Sequence, residues 1–240
     1  LLVWEAFRRT PEGLVVAAVK TPEEKAYISH YVDSLDAENA ISAPVVVCEK
    51  DIEAAIGGLD CTVENGVLFE HVMARNILPA GEGTDSVAKS ILDAVAGRMA
   101  PGGDMVLCET MVQEASRISD FMHMGPLQDT LLKAEEDIYK SYRSKEELVA
   151  LLRSCFASVE VDDYRFNESR VATPQDVTRW MKKSYKPALM KVVPDMTSSQ
   201  LERIEKELVS SLCAAPLEWH TTCVVAKCSG TKAVGTKATH

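Results

Sequence analysis

Four short, mostly apolar runs constrain the fold of this chain more than any other feature. They lie at residues 14–19, 45–48, 67–73 and 105–108, and segments with helical spacing or helix-start signals separate them. A strand that is apolar on both sides must be covered on both faces, and alternation of such strands with helices is typical of a parallel sheet between helical layers. The order of elements therefore predicts an α/β fold of three layers, with a doubly wound, mostly parallel sheet.

Hydroxyl side chains mark the starts of several helices. Thr21, Ser144 and Thr197 are each followed three residues later by Glu or Gln, which is the pattern of a capping box. Thr173 precedes a proline, the residue favoured at the first helical position. Another helix is predicted at residues 84–99.

The helix at residues 84–99 is predicted from its apolar positions, which recur at helical spacing and comprise Val87, Ile91, Leu92, Val95 and Met99. The Pro-Gly-Gly sequence at 101–103 predicts a tight turn that ends this helix before the next strand. Residues 159–166 alternate as a half-exposed strand, and residues 219–228 form the last strand.

A single domain is expected over residues 1–228, with helical insertions at about 113–142 and 174–213. Residues 229–240 are of low complexity and are expected to form a disordered tail. The chain begins without methionine, which indicates a piece of a longer protein.

Charge and composition exclude some classes of function. The chain has 26 basic and 36 acidic residues, a net charge of −10, which disfavours broad nucleic-acid binding unless a local basic patch overrides it. The apolar runs are far shorter than the ~20 residues of a membrane-spanning helix, so no membrane segment or membrane partner is expected. Seven cysteines without a C-x-x-C pair indicate an intracellular, reducing compartment, in the cytoplasm or inside an organelle.

No metal is expected, because no His or Cys pair has the spacing of metal ligands. His71 lies inside an apolar run, where a buried histidine with satisfied hydrogen bonds is the expected role.

Three segments, at residues 69–78, 98–109 and 144–161, together resemble class I S-adenosylmethionine-dependent methyltransferases. Residues 69–78, FEHVMARNIL, resemble the F-D-x-I-x-x-R-N-x-L stretch at the fourth strand of that family. Residues 98–109, RMAPGGDMVLCE, resemble its L-x-P-G-G-x-L-x-L-x-E turn into the fifth strand. Residues 144–148 with 154–161 resemble its S-x-E-E-L helix and the following strand. The resemblance spans about residues 1–228.

This resemblance implies a Rossmann-like methyltransferase fold with an antiparallel last strand, S-adenosylmethionine as the cofactor, and methyl transfer to an acceptor that the sequence does not identify. More narrowly, residues 1–12 and the Arg-Asn pair at 75–76 are similar to a methyltransferase-like domain that follows an AAA+ replication-recombination ATPase in some bacterial proteins. Partners would then include other domains or subunits of a larger protein.

The sequence departs from the family at two places. The glycine-rich loop after the family's first strand is missing from these 240 residues, so the first strand and loop are expected upstream of residue 1. Where the family has an acid for the ribose hydroxyls, this chain has Lys20 and Thr21. After the next strand, Glu49 or Asp51 stands where the family has an acid for the adenine amino group, and Glu49 is the closer match.

Ligands of open α/β sheets bind beyond the carboxyl ends of the strands. With the resemblance, this rule gives as candidates for cofactor contact Lys20, Thr21, Glu49, Lys50, Asp51, Ala74, Arg75 and Asn76. Glu109 and His123 are the candidates for contact with the methyl acceptor. No catalytic residue is named, because displacement at a sulfonium carbon needs mainly alignment and a dry pocket.

Each principal candidate has a structural alternative. Asn76 is also suited to capping a turn, Arg75 to a surface ion pair, and Glu49 to a solvated strand end. Glu109 is also suited to a structural role, and His123 to core packing.

A basic and aromatic cluster near the end of the chain contains Arg179, Trp180, Lys182, Lys183, Tyr185, Lys186 and Lys191. It is suited to contact with nucleic acid or with an acidic partner; the alternative is a solvated helix face.

Two functions remain open after the sequence analysis. The first is an S-adenosylmethionine-dependent methyltransferase seen without its first strand. The second is a methyltransferase-like module that no longer binds the cofactor and serves as a scaffold in a larger assembly. A dinucleotide oxidoreductase is disfavoured, because its glycine fingerprint is missing.

Overall fold

The computed structural model describes residues 2–10, 13–19, 21–35, 45–48, 68–81, 83–122 and 125–231. The elements in chain order are α1 (Leu2–Arg9), β1 (Val16–Val19), α2 (Pro22–Val32), β2 (Val45–Cys48), β3 (Phe69–Arg75), α3 (Asp85–Ala96), β4 (Met99–Thr110), two 3-10 turns (Val112–Glu114 and Ile118–Phe121), α4 (Pro126–Lys140), α5 (Lys145–Cys155), β5 (Phe156–Arg170), α6 (Pro174–Trp180), a π-helical turn (Met181–Tyr185), α7 (Lys186–Val192), α8 (Ser198–Leu212) and β6 (Leu217–Thr231).

The described strands form two sheets. Strands β1 and β2 pair in parallel, and the other four follow the order β3-β4-β6-β5. Strand β3 is parallel to β4, whereas β6 is antiparallel to both of its neighbours. The predicted α/β fold with an antiparallel last strand is therefore confirmed.

The predicted helix starts are confirmed by their hydrogen bonds. The hydroxyl groups of Thr21, Ser144, Thr173 and Thr197 each accept a hydrogen bond from the backbone N–H three residues on. The side chain at that third position bonds back to the N–H of the capping residue in all four cases. These reciprocal bonds satisfy backbone groups that a helix start otherwise leaves unpaired.

Two hydrophobic clusters form the described core. The first joins one face of β4 and β6 to α3 and α5 and includes Leu92, Leu107 and Leu152, all of which are fully buried. The second joins residues 118–134 to residues 172–217, so helices from both predicted insertions share it. This second cluster includes Leu217 at the start of β6. The last residue of β4, Thr110, pairs with Cys223, so the first six residues of β6 extend beyond the carboxyl end of β4.

Three local predictions differ from the structure. Pro-Gly-Gly at 101–103 lies in an irregularity within β4, where the register with β3 shifts, and does not separate α3 from the strand. His71 is exposed, and its Nδ1 lies 2.8 Å from Oδ1 of Asp104. Strand β6 extends to Thr231, so Ser229 is paired with Asp104 and Ser158. The remainder of the predicted tail, residues 232–240, lies outside the described residues.

Candidate functional site

A cavity of about 240 Å³ opens at the carboxyl ends of β3 and β4. Its walls come from residues 76–80 after β3, residues 109–112 at the end of β4, and residues 142–148 around the start of α5. The structure thus brings two predicted site residues, Asn76 and Glu109, to one cavity.

Asn76 closes the turn after β3. Its φ of +50° lies in the left-handed region, which Asn enters more readily than most residues because its short side chain bonds locally. Its backbone N–H donates to the Cys108 carbonyl at 3.0 Å, and its Oδ1 accepts from the N–H of Thr110 at 2.9 Å. These bonds give Asn76 the structural role of a turn cap; its contact with a cofactor stays a prediction.

Glu109 links the same two strands in the opposite direction. Its Oε1 accepts hydrogen bonds from the backbone N–H groups of Ile77 at 3.0 Å and Leu78 at 3.2 Å. A carboxylate that accepts two backbone N–H groups fixes the path of the turn and brings negative charge to the cavity. Its contact with a methyl acceptor likewise stays a prediction.

Arg143 holds the outer wall of the cavity, and its side chain is only 14% exposed. Its guanidinium donates to the Pro79 carbonyl at 2.6 Å, to Oγ1 of Thr84 at 3.0 Å, and to Oδ1 of Asp85 at 2.8 Å. One side chain therefore fastens the loop between β3 and α3. Sequence reasoning missed Arg143, since it lies just outside the Ser144–Leu148 motif and its partners lie about 60 residues earlier in the chain.

Gln113 joins the cavity to the helical part of the molecule. Its Nε2 donates to the carbonyls of Tyr139 at 3.2 Å and Tyr142 at 2.5 Å. The segment after β4 is thereby tied to the end of α4, and Tyr142 itself lines the cavity.

Cys108 precedes Glu109 on β4 and carries a free thiol. Burial, assisted by the neighbouring Cys223, raises the pKa of the Cys108 thiol above its usual range. Burial therefore favours the protonated thiol, which is a weaker nucleophile than the thiolate.

The other predicted site residues lie apart from this cavity or outside the described residues. Ala74 packs against the core cluster of the sheet, and Arg75 is exposed at the end of β3. Thr21 caps α2, where its hydroxyl accepts from the N–H of Glu24 at 3.2 Å. Outside the described residues lie Lys20, Glu49, Lys50, Asp51 and His123.

None of the described helices is both long and apolar enough to cross a bilayer. Within the described ranges, no three His, Cys, Asp or Glu side chains come together in a group that could bind a metal ion.

Several solved structures are similar to this chain. The chain is similar to a Bacillus halodurans protein whose methyltransferase assignment is provisional, at 12% identity and a TM-score of 0.46, over 92% of this chain and 85% of that one. It is also similar to a precorrin-6y C5,15-methyltransferase from Geobacter metallireducens, at 15% identity and a TM-score of 0.40, over 94% of this chain and 73% of that one.

A third similar structure is phosphoethanolamine N-methyltransferase 2 of Haemonchus contortus, solved in complex with S-adenosyl-L-methionine. It shares 12% identity at a TM-score of 0.41, over 90% of this chain and 43% of that one. The chain is similar to methyltransferases.

No model of a known protein family matches the chain, and no curated protein matches it either.

Proposed function

We propose that this chain is an S-adenosylmethionine-dependent methyltransferase whose site includes the cavity at the ends of β3 and β4. The observation that carries the proposal is the placement of Asn76 and Glu109 in one cavity beyond the carboxyl ends of parallel strands. This is where open α/β sheets bind their ligands.

The cavity fits a part of the cofactor or of the acceptor. Its volume of about 240 Å³ lies below the range of about 300–1,000 Å³ usual for ligand pockets. We expect Asn76 to hold the cofactor at this end, with Arg75 contacting it from beside the cavity, and Glu49 and Thr21 to complete the site. When bound, S-adenosylmethionine supplies a methyl group on a positively charged sulfur.

The lining of the cavity suits a transfer that depends on alignment and exclusion of water. Leu78, Met111, Val112 and Leu148 contribute apolar surface. The bonds of Asn76 to β4 fix the turn, and a fixed wall holds two reactants in one orientation.

The alternative is a scaffold module that no longer binds the cofactor. Two features favour it: Lys20 stands where the family has an acid, and the hydroxyl of Thr21 is engaged in the cap of α2.

Calorimetric titration with S-adenosylhomocysteine separates the two functions. If the chain is a methyltransferase, S-adenosylhomocysteine should bind saturably. Glu49→Ala should then weaken binding by about 1–3 kcal/mol, the cost of a lost buried hydrogen bond. Asn76→Asp should weaken binding similarly, because it keeps the acceptor oxygen and the tolerance of the left-handed turn but removes the amide donor.

Asn167→Asp is the matched control, since Asn167 lies exposed on edge strand β5 and outside the cavity lining. Absence of heat at millimolar ligand contradicts the enzyme and leaves the scaffold. Binding that neither Glu49→Ala nor Asn76→Asp weakens would place the cofactor elsewhere.

We further propose an intracellular, reducing location and an acceptor whose identity is open. The location is supported by five described cysteines that are free thiols, namely Cys108, Cys155, Cys213, Cys223 and Cys228.

A further inference from the structure

A row of cations lies along the helical rod formed by α6, the π-helical turn and α7. Arg179, Lys182, Lys183 and Lys186 are all exposed and follow a spacing of three, four and seven residues from Arg179. This spacing places side chains on one side of a helix. We call these four residues the basic face.

An open groove of about 660 Å³ runs beside the basic face. Arg179, Lys182 and Lys183 line it together with Gln175 and Thr178, so three of the four cations border one groove. Lys186 follows at the start of α7. The volume of the groove exceeds that of the cavity at the strand ends.

Two carboxylates that contact residues of the groove already have partners. Asp176 pairs with Arg179 at 2.6 Å and caps α6, while Glu205 accepts the hydroxyl hydrogen of Thr178 at 2.6 Å. Among the described residues, no ion pair involves Lys182, Lys183 or Lys186. Three lysines thus form a local positive patch on a chain whose net charge is −10.

The aromatic residues of this segment face the interior. Trp180 is only partly exposed and lies against Trp219, with ring centroids 6.5 Å apart. Tyr185 is buried and donates its hydroxyl hydrogen to Oε1 of Glu135 at 2.7 Å. In the π-helical turn the apolar and aromatic side chains face inward and the lysines face outward: Met181 and Tyr185 are buried, while Lys182 and Lys183 are exposed.

We propose that the basic face is the docking site for an acidic segment of a partner protein. A single-stranded nucleic acid needs aromatic platforms on which its bases stack, and the two aromatic side chains here are turned inward. The negative field of the whole molecule also opposes a long polyanion more than a short run of Asp and Glu. Lysines bind as point charges and suit carboxylates without a fixed bidentate geometry.

Fluorescence anisotropy of a labelled oligoglutamate peptide tests this proposal on the full chain. The triple variant Lys182→Glu, Lys183→Glu, Lys186→Glu should weaken binding by at least about tenfold, since each exposed ion pair contributes roughly two- to threefold. Binding to the wild type should also weaken as ionic strength rises.

The matched control reverses three exposed lysines on separate helices, Lys25→Glu, Lys133→Glu and Lys206→Glu. It changes the net charge by the same amount and should alter affinity less than about twofold if the patch is local. Circular dichroism establishes that both triple variants are folded.

Three results would overturn the proposal. Equal loss of affinity in the two triple variants would mean that total charge, and not the basic face, governs binding. Absence of saturable binding to the peptide would remove the docking site. Tighter binding of a single-stranded oligonucleotide of equal charge would assign the face to nucleic acid.

Discussion

Removal of the Arg143 side chain tests whether one residue secures the wall of the cavity. The guanidinium bonds the Pro79 carbonyl, the Thr84 hydroxyl and the Asp85 carboxylate, and these three partners belong to the loop after β3 and the start of α3. The variant Arg143→Ala loses all three bonds at once. It leaves the chain otherwise able to form the cap of α5 at Ser144.

The magnitude follows from the surroundings of each bond. The Asp85 side chain is 82% exposed, so its ion pair contributes little, as surface pairs generally do. The two bonds to Pro79 and Thr84 are partly buried and have a charged donor, and at about 1.5 kcal/mol each they give a loss of about 3 kcal/mol. Arg143→Lys should recover only part of the lost stability, because the single nitrogen of an ammonium group cannot reach three acceptors that lie around a planar guanidinium.

Urea unfolding measures the loss, with Arg203→Ala as the control. Arg203 is 74% exposed and pairs with Glu207 one helical turn away, so its removal should cost at most about 0.5 kcal/mol. Hydrogen exchange at Gly81, whose N–H donates to the Ser141 carbonyl at 2.9 Å, should accelerate in Arg143→Ala alone. Equal unfolding free energies in the two variants would refute this account of the wall.

Substitutions at three other positions test other parts of the structure. In Gly103→Ala, the new Cβ would lie 2.9 Å from a backbone oxygen of β3, so urea unfolding should show a loss of about 1–3 kcal/mol, and unchanged stability would contradict the close approach. The hydrogen bond from His71 lowers the pKa of Asp104, so Asp104→Asn should be less stable than wild type at neutral pH. That difference should shrink as the pH falls below about 4 and protonation removes the charge of Asp104; a difference that is constant with pH would argue against it. Tyr185→Phe removes a hydroxyl donor from buried Glu135 and should cost about 1–3 kcal/mol in thermal unfolding, whereas an unchanged Tm would mean that the carboxylate finds another donor.

Local signals in the sequence predicted local structure well. The capping residues Thr21, Ser144, Thr173 and Thr197 start helices because the atoms that satisfy each helix end lie within four residues of one another. Burial was harder to predict, since it depends on distant neighbours. Val87 shares the helical spacing of the apolar residues in α3, yet it is 53% exposed.

Strand β3 shows a second limit of pattern reading. Its apolar run predicted burial on both faces, and His71 was therefore expected inside. In the structure Val72 and Ala74 pack against the core cluster of the sheet, while His71 and Met73 point to the other face and are exposed. Side chains alternate along a strand, and the sequence of β3 does not show which face the neighbouring elements cover.

In the candidate site, too, some features could be predicted from the sequence and others could not. Asn76 and Glu109 could be predicted, because parallel strands place their carboxyl ends at one edge of the sheet. The hydrogen bonds that their side chains accept from backbone N–H groups of the opposite segment could not be predicted, since they join residues more than 30 positions apart. Arg143 was missed for the same reason.

The two hydrophobic clusters are separate, and this bears on how parts of the molecule unfold locally. Among the described residues the clusters share no buried member, and α4, α6, α7 and α8 contribute to only one of them. Such an arrangement allows the helical region to unfold as a cooperative unit of its own. In the proposed methyltransferase, such local unfolding would widen the approach to the strand ends and leave the sheet intact.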